Sequence, residues 1–173
     1  MDHNNCDHSN CTNATATSSV CQTLSEMDWE RGMWYAAFNG DKDRVHLLID
    51  KSMKVKEAVN APDNSGYTAL HYAARNGHVD ICKTLLSNGA LIDSQTRTGK
   101  ATPLHKAAAA GKVEAVKFLI QSGANIRLQD IDGETALHKA VANKNFNLVD
   151  ILLQACPELK MIKDNKGRSG IGN

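Results

Sequence analysis

Apolar residues recur along the chain in blocks that begin with a threonine, at Thr68, Thr102 and Thr135. These threonines are 34 and then 33 residues apart. After each one, leucine and small apolar residues follow at i, i+3, i+4 spacing, which is the pattern of one helix face. The three stripes are Leu70, Ala73, Ala74; Leu104, Ala107, Ala108; and Leu137, Ala140, Val141. A threonine hydroxyl is a good N-cap, so the pattern predicts a short helix after each threonine.

A second apolar segment follows each stripe at the same offset, which predicts a second helix in every unit. These segments are 81–86, 115–120 and 148–153. Glycines stand where the first helix would end (Gly77, Gly111) and where the second would end (Gly89, Gly123), in the role of left-handed C-caps. In the last unit Lys144 and Cys156 occupy these places, and we expect its turns to be looser.

A weaker copy of the unit lies upstream. Residues 32–41 align with residues 69–78, Trp34 stands in place of the recurring histidine, and the linker at 51–59 carries additional residues. Terminal units of a repeat array commonly diverge because one face meets water. We therefore interpret this copy as an N-terminal cap.

The opposite end shows the turn of a further unit without its helix. Gly167 lies 34 residues after Gly133, and the sequence ends at Asn173. We expect the last unit to lack a cap and interpret this end as a truncation or an alternative terminus. The apolar residues expected to be exposed there are Val149, Leu152, Leu159 and Ile162.

The repeated unit resembles the ankyrin repeat, whose signature is a β-turn, a Thr-Pro-Leu-His-x-Ala helix start and a second antiparallel helix. Residues 102–107 match that helix start most fully. The resemblance implies an all-α solenoid of about four stacked helix-turn-helix units with β-turn fingers. The expected units are about 29–60, 63–95, 96–129 and 130–162, with a partial turn at 163–173. Residues 22–34, which lie outside the general consensus, also resemble one adaptor-type member of the family that has no established chemistry.

Composition and charge narrow the possible roles. The chain is 42% hydrophobic and 23% charged, values typical of a soluble globular protein. Its net charge of +1 lacks the strong basic excess that would favour binding to nucleic acid or anionic membranes. No apolar run approaches the length of a membrane span, and the first basic residue is Arg31, so no signal peptide is indicated. We expect a monomer in the cytoplasm, the nucleus or both.

The five cysteines are interpreted as free thiols. Residues 1–22 are polar and predicted to be a disordered tail, and residues 23–173 to form the repeat domain.

Candidate chemistry is sparse. The recurring histidines, His71, His105 and His138, would stand about 10 Å apart on packed helices, too far to share one metal ion. The family resemblance implies instead that they bond neighbouring backbone. A Cys/His tract in the tail (His3, Cys6, His8, Cys11) has the residue types of a zinc site without its usual spacing. Cys82 aligns with apolar packing positions, and the chain shows no catalytic motif. We expect no enzyme activity and no cofactor.

A protein-binding surface is the remaining prediction. In a repeat stack, turn tips and exposed positions of the first helices line a concave face. The predicted partner-binding residues are Tyr67, Tyr72, Arg75, Arg97, Lys100, Lys106, Ile131, Asp132 and Glu134, on a face that also holds Phe38, Asn64, Lys139 and Asn143. The sequence therefore favours an interaction module that binds a protein partner. A solvated charged face, or a scaffold whose Cys/His tail binds zinc, are the alternatives.

Overall fold

A computed structural model of the chain describes residues 32–171. This part is helical, and its one β-type feature is an isolated bridge between Lys163 and Ser169. The helices are α1 (Met33–Asn39), α2 (Lys42–Asp50), α3 (Val55–Asn60), α4 (Ala69–Asn76), α5 (Val79–Ser87), α6 (Pro103–Ala109), α7 (Val113–Gln121), α8 (Ala136–Ala142) and α9 (Phe146–Ala155), followed by a 3₁₀ helix at Pro157–Met161. The predicted all-α class is confirmed.

The helices form two layers. Helices α1, α4, α6 and α8 pack side by side in the first layer, and α2, α5, α7 and α9 pack in the second, so that α1/α2, α4/α5, α6/α7 and α8/α9 are four stacked units. Ala73, Ala107 and Ala140 are fully buried in the first layer, where a larger side chain would hold the helices apart. Leu70, Leu104 and Leu137 form the shared core beneath them.

Each first helix begins as the sequence predicts. Thr68, Thr102 and Thr135 are N-caps with extended backbone, and each forms a reciprocal capping box with the histidine three residues later. Pro103 occupies the first turn of α6, where no donor is lost. The threonine spacing therefore sets the register of the stack.

The histidines join one unit to the next. His71 Nδ1 accepts the Thr68 N–H at 3.1 Å, and His71 Nε2 lies 3.0 Å from the Ala101 carbonyl oxygen in the following unit. The carbonyl can only accept, so Nε2 carries the proton and the ring is neutral. His105 and His138 repeat the arrangement onto the carbonyls of Glu134 and Arg168.

Trp34 replaces the histidine of the first unit and keeps part of its role. Its indole Nε1–H donates to the Ala61 carbonyl at 2.8 Å. The acceptor lies in the linker between the first and second units. The substituted cap unit is therefore still tied to its neighbour by a ring N–H.

The linker contains a helix that was not predicted from the sequence. In α3, Val59 is fully buried, and the Asn60 side-chain amide donates to the Gly89 carbonyl while its oxygen accepts the Leu91 N–H. These contacts attach the additional residues of the linker to the end of α5.

The expectation of an exposed C-terminal end is wrong for two of its four residues. Leu152 and Leu159 are fully buried, and Val149 and Ile162 are half-buried. The 3₁₀ helix folds Leu159 inward, and the turn at 163–170 lies against α8, where Gly170 approaches the Leu137 side chain. The 3₁₀ helix thus packs against α9 and the partial fifth turn against α8, and two of the four residues are buried.

The two non-glycine turns of the last unit differ from each other. Lys144 adopts a left-handed conformation with φ of 58°, as the glycines do at the equivalent turns of the second and third units. Cys156 is extended and leads directly into the 3₁₀ helix. Only the second turn therefore departs from the pattern of the other units.

Candidate protein-interaction surface

The turns between units form fingers with a common frame. The backbone N–H of the first finger residue bonds the carbonyl of the last at four places: Asp63 to Tyr67, Thr96 to Ala101, Asp130 to Glu134 and Asp164 to Arg168. Neighbouring fingers are also joined by backbone bonds, for example Arg97 N–H to the Ser65 carbonyl at 3.1 Å. The finger tips are therefore fixed relative to one another.

Three aromatic side chains, Phe38, Tyr67 and Tyr72, form what we call the aromatic cluster. The ring centroids of Tyr67 and Tyr72 are 5.4 Å apart, and Phe38 meets Tyr72 edge-on at 6.2 Å. The Tyr72 hydroxyl donates to Asp63 Oδ2 at 2.6 Å. Burial, with the bond to Asp63, raises the pKa of Tyr72 well above its usual range. Tyr72 therefore stays a hydrogen-bond donor, and the cluster has a defined geometry.

Four cations lie beside this cluster, Arg75 on the second unit and Arg97, Lys100 and Lys106 on the third, and we call them the basic patch. Lys106 Nζ stands 4.7 Å from the centroid of the Tyr67 ring, within the range of a cation–π contact. The three others are exposed. Within residues 32–171 none of the four forms an ion pair with a carboxylate. The patch therefore has charge that the described fold does not neutralise.

The fourth unit has a different electrostatic character. Lys139 Nζ lies 2.6 Å from both Asp130 and Glu134, and Arg168 pairs with Glu134 at 3.0 Å and with Asp164 at 2.6 Å. Burial works to lower the pKa of Lys139, but the bonds to Asp130 and Glu134 outweigh it and the pKa is raised. We call these five residues the acid–base cluster. Each of them is ion-paired within it, and its three carboxylates outnumber its two cations by one.

Seven of the nine predicted site residues fall into these three groups, and Ile131 and Asp132 lie outside them. Tyr67, Tyr72 and Lys106 are in contact, and the charge of Arg75 acts on the Tyr72 phenol. Glu134 is held in ion pairs. Ile131 and Asp132 are exposed on the neighbouring finger, where the Ile131 N–H bonds the Gly99 carbonyl. The assignment of these residues to partner binding stays a prediction.

Sequence reasoning missed four residues that organise this surface: Asp63, Asp130, Asp164 and Arg168. Each aspartate uses Oδ1 to accept two N–H groups of its own finger. The available signal was the aspartate that begins three of the four fingers, against the threonine at position 96.

The described residues offer little catalytic chemistry. Among residues 32–171 no group of three or more histidine, cysteine or acidic side chains could hold a metal ion. Cys82 is fully buried, and burial raises the pKa of its thiol to about 12, which leaves it unreactive at neutral pH. A cavity of about 460 Å³ beside α8 is lined by His138, but both ring nitrogens of His138 are already bonded. The Cys/His tract and the tail at 1–22 lie outside the described residues.

None of the helices between residues 32 and 171 has the length and apolar character needed to cross a bilayer. This finding concerns the described helices alone.

Comparisons with known proteins agree with the repeat architecture. The family models described as ankyrin repeats match residues 11–96 (three copies) and residues 77–120 and 104–153 (many copies). The chain is 56% identical over 81 residues to human Ankyrin repeat domain-containing protein 39, covering 47% of this chain and 42% of the relative. The bovine protein of the same name is 57% identical over 63 residues, which is 36% of this chain and 32% of that protein.

A third relative has a name that indicates an enzyme. Palmitoyltransferase akr1 of Schizosaccharomyces pombe is 50% identical over 121 residues, which is 70% of this chain and 18% of the yeast protein. In all three comparisons the matched segment spans less than half of the relative's length.

Proposed function

This chain belongs to the ankyrin repeat family, and we propose that it binds a protein partner through the concave face of its repeat stack, without catalysis. Ankyrin repeats are generally protein–protein interaction modules, which supports the general assignment. Our proposal is more specific than this general role: it assigns binding to the concave face and to particular residues, and it excludes catalysis.

The aromatic cluster and the basic patch are the observation that carries the proposal. Their side chains lie on finger tips and first helices, and the leucine and alanine core holds the units together beneath them. Tyrosine and arginine are also the residue types that most often dominate binding energy at interfaces. Tyr67, whose ring lies beside Lys106 and Tyr72, is the expected central contact.

Binding without catalysis or a cofactor is supported by the bonding of the candidate groups. The buried histidines each use both ring nitrogens in the stack, and Cys82 is a buried packing residue. The segment of the yeast transferase that matches this chain is 18% of that protein's length, so the match does not assign its activity to this chain. We further propose that the protein acts as a monomer in the cytoplasm or nucleus and does not bind nucleic acid or membranes.

The test is a partner captured by the wild-type protein and then titrated against Arg75→Glu/Lys100→Glu. We expect weaker binding, because charge reversal in the basic patch changes the surface presented to the partner without touching the core. Lys42→Glu/Lys160→Glu is the matched control, since it makes the same change in net charge at two exposed residues outside the patch. Equal affinity of wild type and the patch variant, with both folded by circular dichroism, would refute the proposed face.

A further inference from the structure

The finger that begins the third unit lacks an acidic side chain that the other fingers have. Thr96 occupies the place of Asp63, Asp130 and Asp164, as the common backbone bond of the fingers shows. Thr96 Oγ1 accepts the Ala101 N–H at 3.0 Å, which reproduces the bond made by Oδ1 of the aspartates. The finger therefore keeps its shape while losing the second carboxylate oxygen.

In the second and fourth units, this second carboxylate oxygen has a partner within its own unit. Asp130 Oδ2 lies 2.6 Å from Lys139 Nζ, and Asp63 Oδ2 accepts the Tyr72 hydroxyl at 2.6 Å. Lys106 is the residue of the third unit that corresponds to Tyr72 and Lys139, because each directly follows the recurring histidine.

Both carboxylates that neutralise Lys139 are missing around Lys106. Thr96 replaces the equivalent of Asp130, and Ala101 replaces the equivalent of Glu134. Lys106 Nζ lies instead over the face of Tyr67, and no carboxylate among residues 32–171 pairs with it. The third unit thus presents the ammonium group of a half-buried lysine in the position where the fourth unit has an ion-pair network.

We propose that an acidic segment of a protein partner supplies the missing carboxylate, with an aspartate or glutamate side chain on Lys106 and further acidic side chains beside Arg75, Arg97 and Lys100. This inference rests on the proposed function, since it names the chemistry of the partner at the same face. Charge complementarity at a partly desolvated lysine favours both specificity and rapid association.

The distribution of charge favours a protein segment over nucleic acid. Proteins that follow a phosphate backbone use a continuous basic groove. Here the basic patch is on the second and third units, while Lys139 and Arg168 of the acid–base cluster are already paired and Asp132 is exposed beside them. The face therefore suits a short acidic segment.

The decisive variant is Thr96→Asp, because it places a carboxylate of this chain where Lys106 can reach it. Thr96→Asn is the matched control, since its side-chain oxygen can accept the Ala101 N–H without adding charge. Asn147→Asp controls for net charge, as it makes an exposed residue of α9 acidic away from the face. Lys106→Met removes the ammonium group and keeps an apolar chain over Tyr67, which provides a second route if Thr96→Asp melts early.

The probes are peptides selected from a random 12-residue display library on the full-length wild-type chain, and their affinities are measured by fluorescence anisotropy. We expect selected peptides to be rich in aspartate and glutamate. We also expect Thr96→Asp and Lys106→Met to weaken binding by about tenfold, with Thr96→Asn and Asn147→Asp close to wild type.

Other outcomes separate this inference from the proposed function. Peptides without acidic enrichment that still lose affinity for Tyr67→Ala would overturn the acidic partner and leave the binding face in place. Peptides that bind all variants equally, Tyr67→Ala included, would overturn both, and so would a library that yields no binder. A 12-nucleotide single strand that binds as tightly as the acidic peptides, with the same loss in Thr96→Asp, would show a general polyanion site and overturn the protein-specific proposal.

Discussion

Mild acid should destabilise this protein through the histidine of its second unit. His71 is fully buried, and burial lowers its pKa to about 4 from an ordinary value near 6.5. The neutral ring is the form that accepts the Thr68 N–H and donates to the Ala101 carbonyl. Folding therefore favours the unprotonated ring, while the unfolded chain binds a proton below pH 6.5.

The sign and size follow from this difference in proton binding. Stability from the neutral ring is complete above pH 6.5 and is lost as the pH falls toward 4, because the unfolded state then holds more protons. Between pH 7.5 and pH 5 the loss from His71 is about 2 kcal/mol. Burial also lowers the pKa of His105, which adds a loss in the same direction. Asp130 and Asp164 have lowered pKa values, so their contributions are lost only in stronger acid.

The assay is urea unfolding followed by far-UV circular dichroism at several pH values between 7.5 and 5, on wild type and His71→Gln. Glutamine is a usual partner of threonine in a capping box and does not titrate in this range. We expect the difference in unfolding free energy between pH 7.5 and pH 5 to be about 2 kcal/mol smaller in the variant. A wild-type stability that does not change with pH, or the same pH dependence in both proteins, would refute the reasoning.

Three further predictions concern the stack itself. Leu104→Ala should lower the free energy of unfolding by about 2–5 kcal/mol in urea melts, since Leu104 is buried at the centre of the core; an unchanged melt would contradict its position. Gly66→Ala should lower the free energy of unfolding by more than the roughly 1–2 kcal/mol expected of Gly123→Ala. Both glycines have positive φ, but a Cβ at Gly66 would lie 2.4 Å from the Arg97 nitrogen, whereas one at Gly123 would meet nothing within 4 Å. Equal losses in the same melts would argue against the close finger contact. Trp34→Phe should cost about 0.5–1.5 kcal/mol through the lost bond to Ala61, and an unchanged thermal melt would show that this bond adds no net stability.

The features that repeat were the ones that sequence could predict. Thr68, Thr102 and Thr135 act locally as caps, so their spacing was enough to place the first helices. Helix α3 was not predicted: Val55, Ala58 and Val59 have i, i+3, i+4 spacing, but the helix is only six residues long and has no threonine N-cap. Its attachment also depends on distant contacts of Val59 and Asn60.

The burial of residues at the C-terminal end and the charge balance of the surface also could not be predicted from the sequence. Leu159 reads as an apolar residue beyond the last helix, and its burial requires the chain to turn back through the 3₁₀ helix. The position of Lys106 could be predicted from sequence, but its unmatched charge could not. That property depends on the finger residues Thr96 and Ala101. Ala101 aligns with Glu134 because each directly precedes an N-cap threonine, but the equivalence of Thr96 to Asp130 becomes visible only in the backbone bonds.

The ring-to-carbonyl bonds of the stack have a consequence for how such a protein can change its length. In the second, third and fourth units the histidine bonds the carbonyl that directly precedes the threonine or serine position of the following unit. A deletion or duplication that starts and ends at equivalent positions restores the bond with new partners, whereas one that is out of phase leaves a buried ring nitrogen without an acceptor. Lengthening or shortening in whole modules is therefore the change that this architecture tolerates best.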